Sequence, residues 1–164
     1  MMKLTQQISG LEDIDAIEAM DYVARWMRDE AQRWGRIPPE ILDEIGDERA
    51  ATEILSEMFP EISDLSKVTL AADENQRGRI ARNYLLFLTE DEHYAPKVQE
   101  ALDRPATRSL LATMAGAAAI YFLLSLEVDF EYEETRAERH KKLRIYRKSA
   151  PLDMIEVVKR ILGL

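Results

Sequence analysis

The sequence predicts a mainly helical α+β domain, a multi-helix core with a C-terminal antiparallel β-hairpin followed by a final helix. Three patterns predict it. Apolar residues recur at spacings of three and four across residues 11–34, the period of a helix with one buried stripe. An uncharged run fills residues 110–126. The period then falls to two over residues 126–133 and 141–148, the alternation of strands with one covered face. At 164 residues with 46% hydrophobic and 32% charged, the chain suits a single folded domain, residues 1–164, and is too apolar to be disordered.

Residues 1–10 lack the apolar stretch of a secretory leader and are expected to be a flexible lead-in to a helical part, residues 11–125. The first helix, residues 11–34, carries Leu11, Ile14, Ile17, Met20, Val23, Met27, Ala31 and Trp34 on its apolar stripe. Its other face holds Glu12, Asp13, Asp15, Glu18 and Asp21 early and Arg25, Arg28 and Arg33 late, the order that suits the helix macrodipole. Gly35 and the Pro38-Pro39 pair stop it. Shorter helices follow over residues 39–45 and 47–59. Asp47 is placed to cap the second, with Ala50, Ile54, Leu55 and Met58 on its inner side. Residues 61–72 fit either a short helix or a loop. A further helix, residues 73–89, turns Ile80, Tyr84, Leu85 and Leu88 inward and Arg77, Arg79 and Arg82 outward, and a brief one covers residues 95–102.

The run at 110–126 has 17 positions without a charge, so it must be buried in something. At 1.5 Å per residue it reaches about 25 Å, short of the ~30 Å of a hydrocarbon layer. It is rich in Ala, Gly, Ser and Thr, which favour close helix packing. The expectation is a central core helix; an oligomer interface and a membrane segment are the alternatives.

Beyond it, Leu126, Val128, Phe130 and Tyr132 alternate with Glu127, Asp129, Glu131 and Glu133. In the second segment Leu143 and Ile145 alternate with Lys142, Arg144 and Lys148. Antiparallel pairing sets acidic against basic side chains on one face and apolar against apolar on the other, and a slip of one residue would undo both. Residues 136–140 form the turn. Pro151 opens the last helix, with Leu152, Ile155, Val158, Ile161 and Leu162 on its buried side.

Composition narrows function mostly by exclusion. The chain has no cysteine, which removes disulfides, thiolate nucleophiles and thiolate metal sites and suits a reducing, cytoplasmic setting. No phosphate-binding glycine loop, nucleophile elbow or calcium loop occurs. His93 lies in an acidic run and His140 among cations, and neither has a second imidazole at metal-ligand spacing. No catalytic residue, cofactor or metal is therefore expected.

The net charge of −9 is uneven: residues 1–75 carry 7 basic and 18 acidic side chains, and residues 76–164 carry 15 and 13. Such an N-terminal half repels phosphate backbones, and the 110–126 run has no side chain that reads base edges, so nucleic acid is not an expected partner. The reading that remains is a protein-interaction module, a regulator, adaptor or inhibitor. It would present Glu12, Asp13, Asp15, Glu18 and Asp21 to a basic partner. Arg136, Arg139, Lys141 and Lys142 are candidate contacts to phosphate or to an acidic partner. The alternatives are a self-assembling subunit and a small metal-dependent enzyme using the acidic residues.

Overall fold

The computed structural model describes residues 3–63, 65–104, 114–126, 128–134, 141–147 and 152–164, and they are mainly helical. In chain order these are α1 (Leu4–Ser9), α2 (Asp13–Trp34), α3 (Pro39–Glu44), α4 (Glu48–Met58), α5 (Leu65–Thr69), α6 (Glu74–Leu88), α7 (Ala95–Asp103) and α8 (Met114–Ser125). Then come β1 (Val128–Glu134), β2 (Lys141–Arg147) and α9 (Leu152–Leu162).

Local chemistry sets most of the boundaries. Asp47 accepts the Ala50 N–H at 3.0 Å and caps α4. Asp73 accepts the Gln76 N–H at 2.8 Å while the Gln76 side chain takes the Asp73 N–H at 2.9 Å, a reciprocal capping box on α6. α2 stops at Gly35, whose φ of 63° is the left-handed cap that a residue with a Cβ adopts only at a cost. The stretch left open at 61–72 contains a short helix, α5. Its Thr69 hydroxyl meets the Thr52 hydroxyl of α4 at 2.7 Å, and Thr52 also reaches the Glu48 carbonyl at 2.7 Å. Two buried hydroxyls thus satisfy each other between helices, as burial of polar groups demands.

α8 is the centre. Every residue from Met114 to Leu123 is buried, so it has no polar face to turn outward and must be enclosed. α2, α4 and α6 all pack on it. Phe59, just beyond α4, meets Phe122 edge-on at 5.1 Å, and Phe87 of α6 meets Tyr121 in the same way at 5.1 Å. Burying each of Ile120, Phe122 and Leu123 contributes about 1.5–3 kcal/mol. The first N–H groups of this enclosed helix need an acceptor, and Glu48 supplies it across 66 residues of chain. Its carboxylate accepts from Met114 at 3.1 Å and Ala115 at 2.9 Å. Burial raises the Glu48 pKa from its ordinary value. That outweighs the lowering by the two N–H groups and by Arg77, and Asp47 adds to the rise.

α2 and α6 form the closest helix pair. A Cβ on Gly78 would lie 2.6 Å from Asp13 Cγ, closer than any real contact. Asp13 is held there by Arg82, whose guanidinium donates to Asp13 Oδ1 at 2.8 Å and to the Leu11 carbonyl at 3.2 Å. α9 lies on α6, where the Asn83 amide donates to the Arg160 and Ile161 carbonyls at 3.3 and 3.4 Å.

β1 and β2 pair antiparallel, with Phe130 opposite Ile145, Tyr132 opposite Leu143, Glu131 opposite Arg144 and Glu133 opposite Lys142. Arg147 of β2 binds Glu61 and lies over the Phe59 ring at 5.3 Å, tying the strands to the end of α4. The expected turn at 136–140 and the first part of the 110–126 run lie outside the described residues.

Three expectations need correction. Residues 4–9 form α1 and seat Ile8 fully in the core, where a flexible lead-in was expected; one large apolar side chain is enough to anchor so short a helix against α6. Leu126 does not begin the strand, because its N–H bonds back to the Phe122 carbonyl at 2.9 Å and completes the last turn of α8. Ile14 and Trp34 lie on the predicted stripe of α2 but are 40% and 70% exposed: at the first turn it is Asp13, not Ile14, that lies against α6, and Trp34 is the last residue of the helix.

Two outcomes follow. Gly78→Ala should lower stability by about 1–3 kcal/mol in urea unfolding, despite alanine's better helix propensity, because Asp13 must leave Arg82 to make room. An unchanged midpoint would contradict the close approach. Because the folded-state pKa of Glu48 is raised, its contribution is fully present below the unfolded value of 4.5 and is lost as pH rises through the folded value. Wild type should therefore lose stability relative to Glu48→Gln on going from acid to neutral pH. A difference that stays flat or grows would contradict this.

Candidate functional site

α2 is covered on two sides by α6 and α8, and α7 packs lower on a third. What it leaves open is a second stripe. Asp15, Glu18, Tyr22, Trp26 and Asp29 follow one another at steps of three, four, four and three, which keeps them on one side of the helix. Lys97, Ala101 and Arg104, from α7 and its end, face this stripe across a cleft of about 530 Å³.

The cleft combines ring faces with charge. Lys97 Nζ lies 5.1 Å from the centre of the Trp26 ring and 5.8 Å from that of Tyr22, and the Arg104 guanidinium lies 4.5 Å from the Tyr22 ring centre. These are cation–π distances. Glu100 anchors the arrangement from α7, accepting the Tyr22 hydroxyl at 2.5 Å and Lys97 at 2.9 Å. Those two hydrogen bonds, Tyr22 first, hold the Glu100 carboxyl below its ordinary pKa. Behind the cleft the aromatic side chains continue inward. Trp26 touches His93 at 5.7 Å and Tyr94 at 6.0 Å, and Tyr94 meets Tyr121 of α8 at 5.8 Å. Burial, then the neighbouring Tyr121, raises the Tyr94 pKa, so both phenols stay neutral packing partners near neutral pH.

The acidic residues expected on one binding face separate into three settings. Asp15 and Glu18 line the cleft, and no hydrogen bond or ion pair among the described residues engages them or Asp29. Asp21 also borders the cleft, but its side chain is only 8% exposed and lies 3.1 Å from Arg25 Nε, the pairing a buried carboxylate requires. Glu12 and Asp13 sit elsewhere. Glu12 precedes the first turn of α2 and is exposed, and Asp13 is engaged by Gly78 and Arg82.

Arg136, Arg139 and the side chains of Lys141 and Lys142 lie outside what the structure describes, as does His140. In the strand register Lys141 and Lys142 stand opposite Glu134 and Glu133. The exposed His93 packs its ring on Trp26 and Tyr94.

Tyr22, Trp26, Asp29, Lys97 and Arg104 were not anticipated. The spacing of Tyr22 and Trp26, four apart between acidic residues, was the available signal; it was passed over because both lie off the main apolar stripe. Among the described residues, no three His, Asp or Glu side chains are grouped to hold a metal ion. Nor, among those residues, is any helix long and apolar enough to cross a membrane.

Tyr22→Phe should return the Glu100 carboxyl towards its ordinary pKa in a carbon-detected NMR titration, because the stronger of its two stabilising hydrogen bonds is gone. A Glu100 titration unaffected by the change would show that the hydroxyl contact is not kept in solution. Compared with known proteins, the chain matches no family model, no curated protein and no solved structure.

Proposed function

We propose that the chain is a non-catalytic protein-binding module, a regulator, adaptor or inhibitor, which takes a basic segment of a partner protein into the cleft between α2 and α7. The observation that carries this reading is the pairing of chemistries in one cavity: the open carboxylates of Asp15, Glu18 and Asp29 rim the faces of Tyr22 and Trp26. Carboxylates attract and orient a cation, and aromatic faces hold it once water is displaced. Aromatic residues are also the side chains that most often anchor protein interfaces. The acidic excess of residues 1–75 supports the same partner, since a field of that sign draws a positive segment in. In this reading residues 135–140 join β1 and β2 as a hairpin, which braces the end of α4.

Isothermal titration with a short oligo-arginine peptide tests the proposal. Reversing Asp15, Glu18 and Asp29 to Lys together should weaken binding by about tenfold or more, taking each exposed pair at about 0.2–1 kcal/mol and counting the added repulsion. Reversing the exposed Glu44, Glu53 and Asp153, none of which lines the cleft, changes the net charge equally. An equal loss in that variant would mean that only overall charge is read, and the cleft would be eliminated as the contact.

A further inference from the structure

The cleft is not empty of cations, for Lys97 and Arg104 of the same chain already lie against its rings. Arg104 lies closer to Tyr22, but Lys97 is the one that stands against both rings. Its ammonium stands within 6 Å of both ring centres, its side chain is only 20% exposed, and its one ion pair among the described residues is the 2.9 Å contact to Glu100, three residues away on the same helix. That tether is local and partly solvated, so it holds weakly. An ammonium is also a strongly hydrated point charge, whereas a guanidinium is planar, less hydrated and stacks on aromatic faces. Tyr22 already carries a guanidinium, that of Arg104 at 4.5 Å, whereas Trp26 carries the ammonium of Lys97, a weaker version of the group a ring face suits best.

We infer that Lys97 is an internal competitor, which occupies the seat on Trp26, beside the Tyr22 ring that Arg104 covers, until an arginine side chain of the partner displaces it. This rests on the cleft reading above and adds two things to it: the partner residue is arginine in preference to lysine, and access to the seat is set by Lys97. When the guanidinium enters, the Lys97 stem swings outward and its ammonium returns to water. Asp15, Glu18 and Asp29 then face the incoming charge. A seat filled part of the time by its own chain lowers the apparent affinity by the fraction that is open.

The chain has two tryptophans, and Trp34 is 70% exposed at the far end of α2. In a Trp34→Phe background, Trp26 alone reports on the seat by its fluorescence. Titration with oligo-arginine should change Trp26 emission and should bind more tightly than oligo-lysine of the same length. Lys97→Met, which keeps the stem and removes the charge, should raise oligo-arginine affinity by about two- to fivefold, the strength of an exposed cation–π contact. Lys97→Arg, with unchanged net charge and a stronger ring contact, should lower it.

Arg49→Gln, which removes one exposed cation elsewhere, measures the effect of net charge alone. If Lys97→Met gains no more than Arg49→Gln, or if Lys97→Arg binds as well as wild type, the competitor role is overturned while the cleft stands. If oligo-arginine leaves Trp26 emission unchanged in every variant, the cleft reading and this inference fall together.

Discussion

The structure depends on enclosing a helix that has no polar side. α8 is buried from Met114 to Leu123, and α2, α4 and α6 are placed by the need to cover it. Enclosure creates a problem that side-chain packing cannot solve, because the leading N–H groups of such a helix have no water to bond to. Glu48 solves it by projecting from the first turn of α4 into contact with Met114 and Ala115. The same carboxylate sits where α4's own dipole favours an anion, so one charge serves two helix ends. The raised pKa of Glu48 records what that placement costs: the ionised form is held by good donors, but in surroundings that solvate it less well than water.

The cleft is a by-product of the same arrangement. α2 is long enough to meet α6, α7 and α8, and each contact uses a different strip of its surface. Alanines at 16, 19, 24 and 31 are all buried; small residues let neighbouring helices approach from several directions without a gap. Gly78 takes this to its limit against Asp13. What is left over on α2, between the strip under α7 and open water, is the line from Asp15 to Asp29. Trp26 is not free to turn away, because it is packed on Tyr94 and His93 and Tyr94 on Tyr121 of the core, and Tyr22 is tethered through its hydroxyl to Glu100. The ring faces are thus presented by a rigid support, the condition under which a surface aromatic can act as an anchor.

Features written within a few residues of one another were legible in the sequence. The caps at Asp47 and Asp73, the stop at Gly35, the inner face of α6 and the uncharged centre follow from periodicity and from turn chemistry that acts over three or four positions. The antiparallel pairing of acidic with basic and apolar with apolar positions was legible too, but the register of Phe130 on Ile145 and Tyr132 on Leu143 was not, since a shift of two residues sets Phe130 on Leu143 and Glu131 on Lys142 and fits the pattern as well. What was not legible joins distant positions. Nothing near Asp13 announces that it will lie on Gly78 and pair with Arg82, 69 residues away. Asp13 and Asp15 look equivalent as letters, yet one is committed to the fold and the other opens on the cleft. Asp21 shows the same difficulty: a charge on the predicted outer face becomes buried once α7 and α8 both close on α2. A helical wheel divides inside from outside only when a helix has a single neighbour.

Charge alone cannot make a cleft of this kind selective. At physiological ionic strength the field of an exposed carboxylate fades within about 8 Å, and the chain carries 31 acidic side chains, most of them nowhere near α7. Any of these can slow a passing cation, which is why net charge governs encounter more than residence. Residence requires contact from which water is excluded, and along α2 that quality belongs to Tyr22 and Trp26. Their ring faces are apolar and their quadrupoles attract positive charge, so they discriminate by shape and hydration as well as by sign. The chain's own Lys97 and Arg104 have settled there in preference to the open carboxylates around them. In the proposed function, then, the acids steer and the rings hold, and what a partner must bring is a flat cation able to lie on them.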